Sequence, residues 1–123
     1  MRTSILSFMA ATSLALGCGG SFPPPTQPLA DAESAQRSAA ELGAASHPDA
    51  ELHLRLAQEQ TAKAKTLMSD GDNERAGRLL LRARADAELA IALSRKQAAA
   101  VESQKATDQS NTQRTTNANQ GAQ

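Results

Sequence analysis

The sequence predicts an all-α protein, an antiparallel hairpin of two long helices with a shorter helix before it. Alanine occupies 26 of the 123 positions, and the only aromatic residues are Phe8 and Phe22. Strands favour aromatic and β-branched residues, whereas alanine, leucine, arginine and glutamate are strong helix formers. From about residue 29, apolar residues also recur at steps of three and four, which is the spacing of one helix face.

The N-terminal stretch, residues 1–17, is typical of an export signal. Arg2 precedes an uncharged run from Ile5 to Leu16, and the small residue Gly17 ends it. Such a charged start, apolar stretch and small-residue end mark a secretory signal. The run is shorter than the ~20 apolar residues that span a bilayer. We therefore expect this stretch to be a signal peptide that is removed on export.

Cys18 is the only cysteine of the chain. The segment from Leu14 to Cys18 resembles the bacterial lipobox, in which a thiol after a small residue receives diacylglycerol and palmitate, and cleavage falls between Gly17 and Cys18. Two or more acyl chains on one residue anchor a protein firmly to a membrane. The alternative is an ordinary cleaved signal with an incidental cysteine. Gly19 is not aspartate, which by resemblance to enterobacterial lipoproteins implies the outer membrane, facing the periplasm, rather than the inner membrane.

Residues 18–28 are predicted to hold the lipidated cysteine and an extended spacer. Four of the eight residues from Ser21 to Pro28 are proline. Proline-rich segments favour the extended polyproline conformation. We expect this segment to separate the folded part from the lipid surface.

A helical domain is predicted over residues 29–103, with helices at about 29–45, 48–69 and 72–103. Ser46 and Asp49 form a capping-box-like start for the second helix. Gly71 is expected to end that helix in the left-handed conformation, and Asp72 to cap the third. The apolar positions are Ala32, Ala35, Ala39 and Leu42 in the first helix, Ala50, Leu54, Ala57, Thr61, Ala64 and Met68 in the second, and Ala76, Leu80, Ala83, Ala87, Ala90, Ser94, Gln97 and Val101 in the third.

The third predicted helix is longer than the second, so its far end must pack on the first helix, on another chain, or on nothing. Residues 104–123 are rich in Gln, Asn, Thr and Ser without a large apolar residue, and such a composition predicts a disordered tail. The seams contain few large apolar residues. We therefore expect a marginal monomer that self-association or an envelope partner completes.

The chemistry-bearing residues do not form a catalytic or metal-binding pattern. Asp70, Asp72 and Glu74 have the spacing that opens a calcium loop, but that loop also needs a glycine and a glutamate that this chain lacks. His47 and His53 are six apart, whereas zinc on a helix needs a spacing of three or four. We find no nucleophile with a base and no phosphate-binding loop. The sequence therefore predicts a non-enzyme without metal, cofactor or small-molecule substrate.

Basic and acidic residues number 13 each, which argues against a nucleic-acid-binding protein. Arginines nevertheless cluster early in the third helix, and Arg75, Arg78 and Arg82 share one face by their spacing. One interpretation is a solvated face paired with Glu74, Asp86 and opposing acids. The other is a docking strip for an anionic partner, such as lipid headgroups or cell-wall polymer.

The helical part resembles the bacterial family of domains of unknown function numbered forty-three ninety-eight. Members are envelope lipoproteins with a short helix, a proline-initiated helix, a Gly-Asp turn and an alanine-rich third helix. The likeness covers roughly residues 29 to 100 and is carried by Pro48, Glu51, Leu52, Leu56, Ala57, Ala64, Gly71, Asp72, Glu74, Arg75, Ala76, Leu80, Ala83, Ala87 and Ala90. The turn at Gly71 also resembles that of a tetratricopeptide hairpin, but such repeats need about three copies.

Two departures from that family bear on function. Asn73 stands where the family often has an aromatic residue, and no OmpA-like peptidoglycan-binding sequence follows the helices. The last residue is Gln123 rather than the lysine by which the major murein lipoprotein is joined to the cell wall, so covalent attachment is not implied. The first hypothesis is a lipoprotein with a structural or protein-interaction role. The second is an adaptor or accessory subunit of an envelope secretion or export assembly.

Overall fold

Three α-helices that run up, down and up form the part of the protein that the structure describes. The computed structural model describes residues 22–122. In it, α1 spans Thr26–Glu41, α2 spans Pro48–Ser69 and α3 spans Asn73–Gln120, and a short 3-10 helix, Ala44–Ser46, joins the first two. Residues 22–122 contain no strand. The predicted all-α class and the antiparallel hairpin are confirmed.

Contacts between side chains fix the directions of the helices. Early in α1, Asp31 reaches Arg84 of α3 at 3.4 Å, and Glu33 reaches Lys65, late in α2, at 2.6 Å. His53, early in α2, meets Asp86 of α3 at 3.0 Å. α1 therefore runs parallel to α3 and antiparallel to α2. The start of α1 and the α2–α3 turn consequently lie at the same end of the bundle.

Alanine dominates the core. One buried cluster near the α2–α3 turn joins all three helices, and a second lies near the α1–α2 connection. Leu80 and Leu54 are the only leucines buried among the described residues. Small side chains let helix backbones approach closely, but each buries little apolar surface. The predicted seam positions that are buried are Ala32, Ala39, Ala50, Leu54, Ala57, Thr61, Ala64, Ala76, Leu80, Ala83, Ala87, Ala90 and Ser94.

The α2–α3 turn has the predicted geometry. Gly71 has φ 81°, in the left-handed region, and its N–H donates to the Met68 carbonyl at 3.1 Å. The Asp72 N–H donates to the Leu67 carbonyl at 2.8 Å. These two bonds make a Schellman motif, which satisfies the last carbonyls of α2. The Asp72 side chain then accepts from the Arg75 N–H at 3.3 Å and caps α3.

The predicted capping pair at the start of α2 is wrong. Ser46 belongs to the 3-10 helix, and the N-cap of α2 is His47, whose side chain makes no capping hydrogen bond. Gly43, at φ 76°, ends α1 and redirects the chain, so the 3-10 turn occupies the positions assigned to a capping box. Pro48 nevertheless opens α2, because its missing N–H has no partner in a first turn anyway.

The described part of the predicted spacer is not extended away from the bundle. α1 begins at Thr26, three residues before its predicted start, and Pro28 lies in its first turn. Proline is tolerated there because the first N–H groups of a helix have no intrahelical partner. Residues 22–25 lie beside the first turns of α3.

The predicted disordered tail and the predicted helix end at residue 103 are also wrong. α3 is one helix of 48 residues that ends at Gln120, about 72 Å long at a rise of about 1.5 Å per residue. Every described residue from Arg95 onward is exposed. Gln97 and Val101 were predicted as seam positions but are exposed, because α2 begins at Pro48, so that Gln97 lies only at the edge of the α2 start and Val101 lies beyond it. We call residues 95–120 the overhang.

The signal peptide, its cleavage site at Gly17, and Cys18 lie outside the described residues. Among the helices of residues 22–122, none combines the length and apolarity that crossing a membrane requires.

Candidate interaction surface

The three arginines singled out in the sequence lie together on one flank of α3, at the end of the bundle that carries the α2–α3 turn. Arg75, Arg78 and Arg82 line a shallow groove between α2 and α3. Leu67 and Leu79 form its apolar part, and Lys63 of α2 adds a fourth cation. The groove encloses about 250 Å³. We call these six residues the basic end of the groove.

Two of these cations have carboxylate partners on their own helix. Arg75 bonds to the Asp72 carboxylate at 3.0 Å, and Arg78 bonds to Glu74 one turn before it. Within residues 22–122, neither Lys63 nor Arg82 makes an ion pair. The basic end therefore holds four cations but only two neutralising partners.

Arg84 and Asp86 do not join the arginine flank. Arg84 lies on the side of α3 that faces α1, where it bonds to Glu88 at 2.7 Å and to Asp31 at 3.4 Å. The hydrogen bond from Arg84 to Glu88, with the negative charges of Glu88 and Asp31, raises the arginine's pKa above its ordinary value. Asp86 pairs with α2 and not with an arginine, so that part of the solvated-face interpretation is wrong.

A polar network occupies the middle of the same groove. Asp86 contacts His53 Nδ1 at 3.0 Å and accepts a hydrogen bond from Gln60 Nε2 at 2.7 Å. The buried Oε1 of Gln60 makes no hydrogen bond within the described structure. Within residues 22–122, no three or more His, Cys, Asp or Glu side chains are grouped as metal ligands would be. The network ties α2 to α3.

Leucines line the far end of this groove. Leu89 and Leu93 follow Asp86 by three and seven residues on α3, and Leu56 follows His53 by three residues on α2, so these leucines share the groove side of their helices. Leu89 is 42% exposed, and Leu56 and Leu93 are half-buried. We call these three residues the leucine end. Because α1 packs on the opposite side, through Arg84 and Lys65, none of the three described helices covers the groove.

The N-terminal segment is held at the end of the bundle opposite the overhang. Asn73 Nδ2 donates to the Phe22 carbonyl at 2.9 Å. Pro25 packs on Gly77, since a Cβ at that glycine would lie 3.6 Å from Pro25 Cβ. Asn73 thus has a structural contact at the position where the sequence departs from the family pattern.

Beyond Lys96 and Gln97, which lie beside the start of α2, the overhang makes no hydrogen bond or ion pair to another element within the described residues. Its threonine hydroxyls donate to their own helix four residues back, as Thr112 does to the Asp108 carbonyl at 2.8 Å. Val101, 58% exposed, is the only large apolar side chain among residues 95–120. The overhang is therefore a polar helix that presents all its faces to solvent.

The contribution of Lys63, Leu67 and Leu79 to the basic end was not predicted from the sequence, and neither was the leucine end. The steps of three and four on each helix were visible in the sequence. What was missing is the register of α2 along α3, which places Lys63 and Arg82 in the same groove. Leu52 and Leu56 were noted only as residues that resemble the family.

One of the comparisons with known proteins identifies a family for this chain. The family described as Domain of unknown function (DUF4398) matches residues 27–110, which includes all of α2 and most of α1 and α3. The chain belongs to the DUF4398 family. No curated protein and no solved structure matches it. The DUF4398 match extends through part of the overhang, so the family pattern continues past the point where α3 leaves the bundle.

Proposed function

We propose that this DUF4398 protein is a lipoprotein of the bacterial envelope with a structural or protein-interaction role. Cys18 carries the lipid, the outer membrane is the anchoring membrane, and the helices face the periplasm. The export-signal pattern of residues 1–17 and the lone cysteine directly after it support the anchor.

The observation that carries the proposal is the position of the N-terminal segment. Phe22 is bound at the α2–α3 turn, four residues after Cys18, whereas the overhang leaves the bundle at the opposite end. A protein anchored at Cys18 would therefore present the overhang away from the lipid surface. At a rise of about 1.5 Å per residue the overhang is about 39 Å long. A helix that projects this far from the anchored end can contact a partner that lies away from the membrane surface.

A binding role is proposed rather than a catalytic one. The groove between α2 and α3 is shallow, and ligand pockets of enzymes usually enclose about 300–1,000 Å³ and bury most of their substrate. The Asp86–His53 pair has a carboxylate and an imidazole, but no hydroxyl or thiol nucleophile is hydrogen-bonded to His53 among the described residues.

The replacement of Cys18 by alanine tests the anchor. We expect Cys18→Ala to move the protein from the outer-membrane fraction to the soluble or inner-membrane fraction, because the acyl chains supply the membrane affinity. The measurement is density-gradient fractionation with metabolic labelling by a palmitate analogue. Ser21→Ala, three residues downstream, is the matched control and should still be labelled and sediment with the outer membrane. A Cys18→Ala protein that stays with outer-membrane vesicles would overturn the proposal.

A second candidate function is that of an adaptor subunit in an envelope secretion or export assembly. The open groove favours it, because its leucine end exposes apolar side chains that a solvated scaffold does not need. An adaptor binds a specific partner, whereas a scaffold could function through the overhang alone.

A further inference from the structure

The groove between α2 and α3 is the one long side of the hairpin that the described chain leaves uncovered. α1 packs on the other side, through ion pairs to Lys65 and Arg84. Three helices with one open groove have the arrangement of a four-helix bundle that lacks its fourth helix. We propose that this groove binds an amphipathic helix of a partner protein, one with apolar side chains along one face and carboxylates at one end.

The apolar part of the proposal rests on the leucine end. Leu89 is 42% exposed, Leu93 lies half-buried one turn after it on α3, and Leu56 lies half-buried on α2. Scattered exposed leucines are ordinary on protein surfaces. Leucines that lie on the groove side of both helices are instead of the kind that marks interaction sites.

The carboxylate part of the proposal rests on the basic end. Four cations line that end, and Lys63 and Arg82 make no ion pair within residues 22–122. The leucine end has no such excess, since Asp49 and Lys96 both lie at its rim and offset each other. The charge of the groove is therefore asymmetric along its axis, which selects both the chemistry and the direction of an incoming helix.

The same asymmetry argues against a second copy of this chain as the occupant. If two grooves packed face to face in parallel, basic end would meet basic end. If they packed antiparallel, the cations would meet leucines. Neither arrangement neutralises Lys63 and Arg82, and like or unpaired charges at an interface cost affinity. An amphipathic helix of another protein can place its carboxylates against Lys63 and Arg82 and its apolar side chains against the leucine end.

The inference rests on the proposed function, as it specifies the partner of an adaptor, but its test does not depend on the anchor. The binding experiment uses the mature chain, residues 18–123, with Cys18→Ser so that neither lipid nor detergent is present. Circular dichroism checks that each variant is folded. If this experiment failed while Cys18→Ala fractionation succeeded, the lipoprotein role would stand and only the groove assignment would fall.

The probe is a synthetic helical peptide of about five turns, with leucines at steps of three and four along one face and three glutamates near one end. Two matched peptides carry glutamine or lysine in place of glutamate. We expect fluorescence anisotropy to show saturable binding of the glutamate peptide, binding about tenfold weaker with glutamine, and none with lysine. No binding of the glutamate peptide at millimolar concentration, or equal binding of all three peptides, would overturn the proposal.

Variants of the protein locate the peptide. Leu56→Ser and Leu89→Ser should each weaken binding about tenfold, because each removes an apolar contact with the peptide, and Arg82→Gln should weaken it several-fold and reduce its salt dependence. Leu81→Ser and Arg37→Gln change exposed residues outside the groove and should leave binding unchanged. Equal losses from the groove variants and these controls would contradict the assignment.

Anionic lipid is the competing occupant of the basic end. Vesicles containing phosphatidylglycerol provide the comparison, with neutral phosphatidylcholine vesicles as the blank. If the protein bound anionic vesicles through Lys63 and Arg82, and Leu56→Ser and Leu89→Ser did not weaken peptide binding, the groove would be a headgroup site and the proposal would be wrong.

Discussion

At the scale of single residues, the glycine of the α2–α3 turn and the first glycine of α3 have opposite roles. Gly71 has φ 81°, and its left-handed conformation turns the chain from α2 into α3. Gly77 lies inside α3 with helical backbone, and the space at its missing side chain is adequate for a methyl group, 3.6 Å from Pro25. Glycine is therefore required at the turn but only tolerated in the helix.

The replacement of each glycine by alanine separates these roles. Gly71→Ala should lower the free energy of unfolding by about 1 kcal/mol, because a side chain disfavours positive φ. Gly77→Ala should raise it by up to about 1 kcal/mol, through the higher helix propensity of alanine. Urea denaturation followed by circular dichroism measures both. Loss of stability in both variants would mean that Pro25 and Gly77 pack too closely for any side chain.

Two neighbouring leucines of α3 provide a second contrast at this scale. Leu80 is fully buried in the cluster that joins all three helices, whereas Leu81 is 61% exposed. Leu80→Ala should lower the free energy of unfolding by about 2–5 kcal/mol, because it removes apolar contacts and leaves a cavity. In a core made mostly of alanine, the neighbouring side chains are too small to fill that cavity.

Leu81→Ala is the matched control and should change the free energy of unfolding by less than about 0.5 kcal/mol. Urea denaturation of the two variants decides the comparison. Equal effects would show that the rotation of α3 about its axis differs from the one described.

At the scale of elements, sequence periodicity predicted the seams because a helix repeats every 3.6 residues whatever its partner is. The register of one helix along another, and the side of the hairpin that α1 covers, depend on contacts between elements, so the composition of the groove could not be predicted in the same way. The tail prediction failed for a third reason. Its polar composition indicated disorder, but between Gly77 and Gly121 the chain has no glycine or proline, and no local signal ends α3.

Every described residue of the overhang beyond Gln97 is exposed, which gives a prediction for truncation. Removal of residues 98–123 should change the unfolding free energy of the bundle by less than about 0.5 kcal/mol, because only exposed residues are lost. Removal of residues 90–123 deletes the buried Ala90 and Ser94 and should destabilise the bundle by more than about 1 kcal/mol. Urea denaturation compares the two. A large loss of unfolding free energy on removal of residues 98–123 would show that the overhang folds back on the bundle.

At the scale of the whole molecule, two ends with different properties define the protein. The N-terminal segment is bound beside the α2–α3 turn, where the basic end of the groove also lies. The overhang leaves from the other end, and its stability must come from its own hydrogen bonds or from a partner, since isolated polar helices are marginal in water. The lipoprotein proposal and the groove proposal both depend on this difference between the two ends of the molecule.

The central claim is that the start of α1 and the far end of α3 lie at opposite ends of one rigid body. Spin labels at Gln27→Cys and Asn117→Cys, in a Cys18→Ser background, test it by double electron–electron resonance. Gln27 lies beside Gly77, at the first turns of α3. With a rise of about 1.5 Å per residue, a continuous α3 predicts a narrow distance distribution at about 60 Å. A broad distribution centred at or below about 40 Å would contradict the account. It would mean that α3 ends near the bundle or folds back along it, which brings residue 117 closer to Gln27 than a continuous helix allows.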